Sequence, residues 1–186
     1  MNNHLIHDVI RIIPKKFKDE RGLFSEIFNS RDYKKLGIEE QFVQDNYSFS
    51  KKIGTVRGLH FQSPPYEQSK LISCISGSIF DVAIDIRKNS PSFGKWTGYE
   101  LSYSNGCQLY VPVGFAHGFM TLEDNTKVIY KCSNYYFPKS EVVIKWNDPE
   151  IGIEWPLNIK TIKSDRDNKA PFLSQIESPF QWINNS

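Results

Sequence analysis

Alternation of apolar and polar residues with a period of two is the feature that most limits how this chain can fold. It is clearest in Ile79-Phe80-Asp81-Val82-Ala83-Ile84-Asp85-Ile86. In an extended strand the large apolar side chains at positions 80, 82, 84 and 86 share one face, and Asp81 and Asp85 lie on the other. We therefore predict a half-buried β-strand here.

Similar short runs recur along the chain, separated by Gly, Pro, Asn and Ser. They are 9–14, 23–28, 41–48, 55–61, 69–75, 96–102, 108–111, 118–122, 127–133 and 141–146. Helix candidates are few: Ser30–Gly37, with Ser30 as N-cap and Gly37 as stop, and a short segment from Pro171. About ten strands without intervening helices predict an all-β fold, an antiparallel sandwich or barrel.

Length, charge and cysteine usage exclude several classes of protein. The 186 residues, 39% of them hydrophobic, predict a single domain over residues 1–186. A net charge of +2 without a basic block argues against a nucleic-acid partner. No apolar run reaches the ~18 residues of a membrane span, so we expect a soluble, cytoplasmic protein that binds no membrane. Cys74, Cys107 and Cys132 are unpaired in pattern and are expected to be small buried residues.

His60 and His117 are the histidines in the densest surroundings, Arg57-Gly58-Leu59-His60-Phe61-Gln62 and Val111–Phe119. Histidine is the commonest proton-transfer group, although a lone His beside apolar residues is more often structural. In a regular strand Arg57 and His60 face opposite sides, but Gly58 permits a bulge that could re-aim them. The residues alone leave both interpretations open.

Six ordered segments resemble the dTDP-4-dehydrorhamnose 3,5-epimerase family. They are Asp19–Glu26, Gln44–Asn46, Gly54–His60, Gln68–Leu71, Pro112–Phe119 and Trp146–Pro149. The resemblance runs from about residue 8 to residue 173. It implies a cupin-type jelly roll, in agreement with the strand pattern.

The resemblance also implies a reaction. A dTDP-4-dehydro-6-deoxy-D-glucose would be inverted at both carbons beside its ketone, through an enolate, to give the dTDP-4-dehydro-L-rhamnose of dTDP-rhamnose biosynthesis. By resemblance His60 is the base, Asp167 its carboxylate partner, Tyr130 the acid and Lys70 the cation beside the enolate oxygen. Without the resemblance, Tyr130 is interpreted as a core aromatic and Asp167 as part of a solvated loop.

Substrate-binding residues are implied in the same way. They are Arg21, Glu26, Gln44, Asn46, Arg57, His117, Tyr136, Glu141 and Arg166. Arginine side chains suit a diphosphate because their planar forks donate paired hydrogen bonds. Tyr135 and Tyr136 resemble the family's aromatic pair near the nucleotide base. Arg166 stands where the family usually has Lys, so the charge is kept while the hydrogen-bond geometry differs.

Three alternatives and one assembly remain to be tested. A metal-dependent cupin would need a His-x-His pair, but position 62 is Gln62, leaving only His60, His117 and Glu67 as ligands; neither metal nor cofactor is expected. The chain could also be a non-catalytic sugar-nucleotide-binding module, or a single-site epimerase or ketoisomerase. The resemblance implies a homodimer with exchanged N-terminal strands, in which Arg21 and Glu26 complete the partner's site.

Overall fold

The computed structural model describes residues 6–156 and 158–183. Short strands account for most of its regular structure, as the alternation predicts. The strands are β1 (Ile10–Ile12), β2 (Lys16–Asp19), β3 (Gly22–Ser25), β4 (Gln44–Ser50), β5 (Val56–Gln62), β6 (Lys70–Ser76), β7 (Ser78–Asp85), β8 (Trp96–Ser102), β9 (Gln108–Val111), β10 (Phe115–Thr121), β11 (Thr126–Cys132) and β12 (Glu141–Val143). The helices are α1 (Ser30–Lys34) and α2 (Asp165–Asn168), with 3₁₀ turns at Pro138–Ser140 and Leu173–Gln175.

Two five-stranded antiparallel sheets face each other. We name them sheet I, in the order β1-β9-β6-β11-β4, and sheet II, in the order β12-β5-β10-β7-β8. The β2–β3 hairpin forms a separate two-stranded sheet. The sheets interleave strands that are distant in sequence, and this arrangement confirms the predicted antiparallel sandwich.

Apolar side chains fill the sandwich and also cover the outer face of sheet II. Ile72, Leu109 and Val128 of sheet I share one buried cluster with Ile79 and Ala83 of β7. On the other side of β7, Val82 and Ile84 pack with residues of the C-terminal segment, among them Ile144, Ile151 and Phe180.

β7 is therefore buried on both faces, and the prediction of a half-buried strand was wrong. Asp81 and Asp85 are fully buried between the sheets, because the C-terminal segment covers the apolar face that the alternation had assigned to the only core. Buried carboxylates require partners. Asp85 accepts hydrogen bonds from Arg87, Ser90 and Ser92.

Both predicted helical segments contain a helix or a helical turn, but their boundaries and types differ from the prediction. The N-cap of α1 is Asn29, one residue before the predicted Ser30, and its side chain accepts a hydrogen bond from the Arg31 N–H. The segment from Pro171 forms only one 3₁₀ turn. β2 and α2 were not predicted, since both are short, polar and without a strong period.

Cys74, Cys107 and Cys132 are free and buried, as expected. Across residues 6–156 and 158–183 the structure contains no helix with the length and apolar character needed to cross a membrane.

Candidate active site

A cavity of about 560 Å³ opens between the two sheets, a volume typical of small-ligand sites. We call it the inter-sheet cavity. All four predicted catalytic residues line it, together with seven of the nine predicted binding residues. The predicted residues on its walls are His60, Tyr130, Asp167, Lys70, Gln44, Asn46, Arg57, His117, Tyr136, Glu141 and Arg166.

A bulge in β5 turns both Arg57 and His60 toward the cavity. His60 lies opposite His117 of β10, and Arg57 lies opposite Phe119. The interval is three residues on β5 but two on β10, so β5 holds one extra residue and Arg57 and His60 face the same side. The sequence left open whether Gly58 allows a bulge in this strand, and the structure shows that the bulge is present.

Gly58 permits this bulge because no side chain fits at its position. Its φ is +120°, a conformation that glycine adopts readily, and an added Cβ would lie 2.6 Å from the Gly118 Cα and 2.7 Å from the His117 carbonyl oxygen. Gly118 is equally restricted, since its Cβ would lie 2.8 Å from the Arg57 carbonyl oxygen. Glycines on both strands therefore allow β5 and β10 to approach closely.

His60 is paired with Asp167, which α2 brings to the cavity wall. The His60 Nε2 lies 2.7 Å from the Asp167 Oδ1. Burial raises the pKa of the Asp167 carboxyl, but hydrogen bonds from His60, Ser164 and the Gly58 N–H outweigh burial and hold that pKa below its ordinary value of 3.8. The ionised carboxylate accepts the Nε2 proton, which leaves Nδ1 as the ring nitrogen able to take up a proton.

Tyr130 and Lys70 occupy the facing sheet. Tyr130 on β11 pairs with Ile72 of β6, so Lys70, two residues away on β6, shares its face. Burial raises the pKa of the Tyr130 phenol, and the nearby Arg57 charge opposes that rise only in part. Burial lowers the pKa of the Lys70 ammonium. The wall opposite His60 thus carries a neutral phenol that can donate a proton and the Lys70 ammonium beside it.

His117 belongs to a second His–Asp pair on sheet II. Its Nε2 lies 2.7 Å from the Asp81 Oδ1, and both side chains are buried. Burial raises the pKa of Asp81, and the charges of His117 and Lys70 oppose this. Sequence reasoning missed Asp81 as a site residue, although its place on the polar face of β7 was the available signal.

The other predicted binding residues form a connected rim. Gln44 donates to the Asn46 side chain at 3.0 Å and accepts the Tyr136 N–H at 2.9 Å. Tyr136 donates its hydroxyl to Glu141 at 3.0 Å. Arg166 pairs with the Glu141 carboxylate through one guanidinium nitrogen and donates to the Glu141 backbone oxygen through the other at 3.1 Å, an arrangement that suits its planar fork.

Arg21 and Glu26 lie away from the inter-sheet cavity. Arg21 is in the β2–β3 hairpin, where its side chain is 91% exposed and pairs with Asp19. Glu26 is exposed and accepts a hydrogen bond from Asn29 at 3.1 Å. Tyr135 is exposed and does not line the cavity either. Within one described chain, these three side chains do not join the site.

Several cavity residues were not predicted: Tyr47, Ser48, Phe49, Phe61, Gln62, Gln68, Phe119 and Ser164. Gln62 fastens the loop that carries Tyr136, since its amide donates to the Tyr135 carbonyl at 3.1 Å and accepts the Phe137 N–H at 2.7 Å. Ser164 is the N-cap of α2, and the sequence Ser-Asp-Arg-Asp, a serine followed by acidic residues, is a pattern that indicates such a helix start. In the part of the chain that the structure describes, no three His, Cys, Asp or Glu residues group as metal ligands.

The fold and the cavity together define an antiparallel β-sandwich protein whose cavity carries a His–Asp pair, a phenol and a lysine, side chains suited to acid–base chemistry. Comparison with known proteins gives the family. A sequence profile of dTDP-4-dehydrorhamnose 3,5-epimerase matches residues 3–175. The epimerase of Salmonella typhimurium strain LT2 is 51% identical over 171 residues, 91% of this chain and 93% of that protein. That of Sinorhizobium fredii is 47% identical over 178 residues, 96% of this chain and 91% of that protein.

Solved structures agree. The dTDP-6-deoxy-D-glucose-3,5-epimerase of Legionella pneumophila Philadelphia 1, in complex with dTDP-4-keto-L-rhamnose, superposes with a TM-score of 0.93 at 44% identity and covers 97% of each chain. The chain belongs to the dTDP-4-dehydrorhamnose 3,5-epimerase family, and its sandwich is a cupin-type jelly roll.

Proposed function

We propose that this chain is an isomerase that inverts the two carbons flanking the ketone of dTDP-4-dehydro-6-deoxy-D-glucose and yields dTDP-4-dehydro-L-rhamnose, a step of dTDP-rhamnose biosynthesis. The observation that carries this assignment is the placement of His60 on sheet II, paired with Asp167 of α2, opposite Tyr130 on sheet I across one cavity. Inversion requires a base on one face of the sugar and an acid on the other.

Each inversion is a pair of proton transfers. The His60 Nδ1 takes the proton from a carbon beside the ketone, the C–H electrons form the enolate, and negative charge collects on the ketone oxygen. We assign Lys70 to that oxygen, where a cation stabilises the enolate. Tyr130 then gives its proton to the opposite face of the carbon. Solvent restores both groups before the second carbon reacts.

The remaining cavity residues are assigned to binding. Arg57 is exposed on the wall and donates to the Ser50 hydroxyl at 3.2 Å, which leaves donors of its guanidinium for a diphosphate. Tyr136, which is exposed at the rim, suits stacking on the nucleotide base. Gln44, Asn46, His117, Glu141 and Arg166 complete the proposed binding wall.

The decisive experiment incubates the protein with dTDP-4-dehydro-6-deoxy-D-glucose in deuterated water and follows the sugar by NMR. We expect deuterium at both carbons beside the ketone and the inverted sugar as product. Deuterium at one carbon would identify a single-site epimerase, movement of the carbonyl a ketoisomerase, and no exchange a binding module. Activity is expected to survive dialysis against a chelator, because every proton transfer is assigned to a side chain.

His60→Ala tests the base directly. Removing a general base typically costs about 10²- to 10⁴-fold in rate. We expect that loss together with an unchanged circular dichroism spectrum, since the His60 side chain is 28% exposed and contributes little to the core. Turnover at the wild-type rate would refute the assignment of His60.

We further propose a homodimer in which the N-terminal hairpin reaches the partner's cavity. The support is that Arg21 of the β2–β3 hairpin and Glu26, which follows β3, do not line their own cavity, while Phe17, Leu23 and Phe24 of the hairpin are exposed. Exposed apolar groups of this kind are typical of interfaces. A single domain spanning residues 1–186 and a cytoplasmic location remain predictions from the sequence.

A further inference from the structure

Asp167 is held through its backbone as well as through its histidine. Ser164 is the N-cap of α2, and its Oγ accepts the Asp167 N–H at 3.1 Å. The Asp167 Oδ1 in turn lies 2.7 Å from the His60 Nε2. One side chain thus joins the helix cap to the His60–Asp167 pair.

This link matters because α2 cannot hold its own position. It has only four residues, Asp165–Asn168, far fewer than a helix needs to be stable alone. Its other end is tied by Lys145, whose ammonium donates to the Asn168 carbonyl. The direction in which the Asp167 carboxylate points therefore depends on the Ser164 hydroxyl at the beginning of the helix.

We propose that Ser164 is a positioning residue for proton abstraction: by accepting the Asp167 N–H its hydroxyl fixes the first turn of α2, which keeps the Asp167 carboxylate against the His60 Nε2 and leaves the ring Nδ1 free to act as base. This inference rests on the proposed function and adds a residue to its machinery. Ser164 acts through Asp167 and His60, so its loss lowers turnover more than substrate binding.

Other charged groups around the pair do not replace this contact. Arg57 precedes Gly58 on β5, and its guanidinium donates to Ser50 and to the Phe49 carbonyl. Arg166, the neighbour of Asp167 on α2, pairs with Glu141 of β12, and His117 of β10 pairs with Asp81 of β7. Lys70 and Tyr130 belong to the facing sheet. The charged side chains of Arg166 and His117 therefore already have partners other than Asp167.

The test compares Ser164→Gly, Ser164→Ala and Ser164→Thr. Glycine keeps most of the stability that a serine N-cap supplies, alanine loses more of it, and threonine keeps both cap and hydroxyl. We expect S164G and S164A to lose kcat equally, by about tenfold, with KM changed less than threefold, while S164T stays near wild type. Equal loss despite different melting temperatures separates positioning from helix stability.

The second measurement is the tautomer of His60, read by NMR of protein labelled with ¹⁵N-histidine. The wild type should show protonation at Nε2, and S164G a mixture of Nε2–H and Nδ1–H forms. Ser90→Ala is the matched control, because it removes a hydroxyl that donates to the buried Asp85 at 2.6 Å outside the cavity. It should lower the melting temperature without changing kcat or the His60 tautomer.

Two kinetic results would overturn the proposal: full kcat in S164G, or losses of kcat that follow the melting temperatures of the variants. An unchanged His60 tautomer in S164G would contradict it as well. An inactive wild type would instead refute the proposed function, so the two failures are distinguishable.

Discussion

Tyr130 is the residue whose environment differs most from that of an ordinary core aromatic. It is half-buried on the cavity wall, beside Lys70 and across from His60. Because burial raises its pKa, the phenol stays protonated at neutral pH and has a proton to give. The neighbouring Arg57 charge favours the phenolate that forms when the proton leaves.

Tyr130→Phe should abolish inversion but not proton abstraction. Without the phenol, His60 can still remove a proton and return one to its own face. We expect overall epimerisation to fall by about 10²- to 10⁴-fold. NMR in deuterated water should nevertheless show deuterium entering with retained configuration. Tyr99→Phe, at a half-buried tyrosine outside the cavity, is the control and should leave the rate unchanged. Normal inversion by the Tyr130 variant would remove it as the acid.

At the scale of elements, the contact between β5 and β10 places the base. The bulge at Gly58 exists only because two glycines allow the strands to touch. Gly58→Ala would put a Cβ within 2.7 Å of backbone atoms at a φ of +120°. Overpacking and strain together should cost about 3 kcal/mol or more.

The measurement is the free energy of unfolding in urea together with kcat. Gly37→Ala is the matched control: its φ is +83°, but nothing lies within 4 Å of the added Cβ. It should cost only about 1 kcal/mol and leave kcat unchanged. If both variants lose the same stability, close approach of β5 and β10 does not explain Gly58.

The turn after β7 supplies a prediction about acid. Burial raises the pKa of Asp85, but hydrogen bonds from Arg87, Ser90 and Ser92 outweigh it, and the pKa lies below the ordinary 3.8. A lowered pKa in the folded state adds stability above pH 3.8, which is lost as the pH falls through the folded value. Asp85→Asn breaks the buried pair with Arg87 and should cost about 3 kcal/mol at pH 7.

That cost should shrink as the pH falls below 3.8, because the wild type then loses the same charge. Urea unfolding of both proteins at pH 7, 4.5 and 3 measures it. A difference in unfolding free energy that stays constant over this range would show that the charge of Asp85 is not what stabilises the turn.

At the scale of the whole molecule, the question is whether one chain makes a complete site. If Arg21 serves the partner's cavity, Arg21→Ala and His60→Ala proteins should each be weakly active alone. Mixing them after co-refolding creates dimers in which one cavity has both His60 and the partner's Arg21. We expect activity to recover toward a quarter of the wild-type value in an equal mixture.

If sedimentation shows dimers but the mixture regains no activity, Arg21 does not serve the partner's cavity, and the proposed sharing of the site is wrong. A mixture of His60→Ala and Tyr130→Phe is the control. Both of these residues line the same chain's cavity, so each cavity in the mixed dimer lacks one of them and no activity returns.

Local patterns in the sequence were enough to predict most strands and the all-β class. Alternation and turn residues act between neighbours, so they can be interpreted without knowing the fold. The site residues, among them His60, Lys70 and His117, were assigned from the resemblance to the family, because the residues alone left the histidines open between a structural and a catalytic role. Short polar segments such as β2 and α2 carry no such pattern and were missed.

Which side chains meet depends instead on the tertiary structure. His60 and Asp167 are 107 residues apart and touch because the C-terminal segment crosses sheet II. The bulge at Gly58 depends on Gly118 of another strand, and Asp81 is an interior residue because both faces of β7 are covered. These features arise from packing between elements that are distant in sequence. The periodicity of apolar residues predicts only which side chains of one strand or helix share a face, and it does not predict what that face contacts.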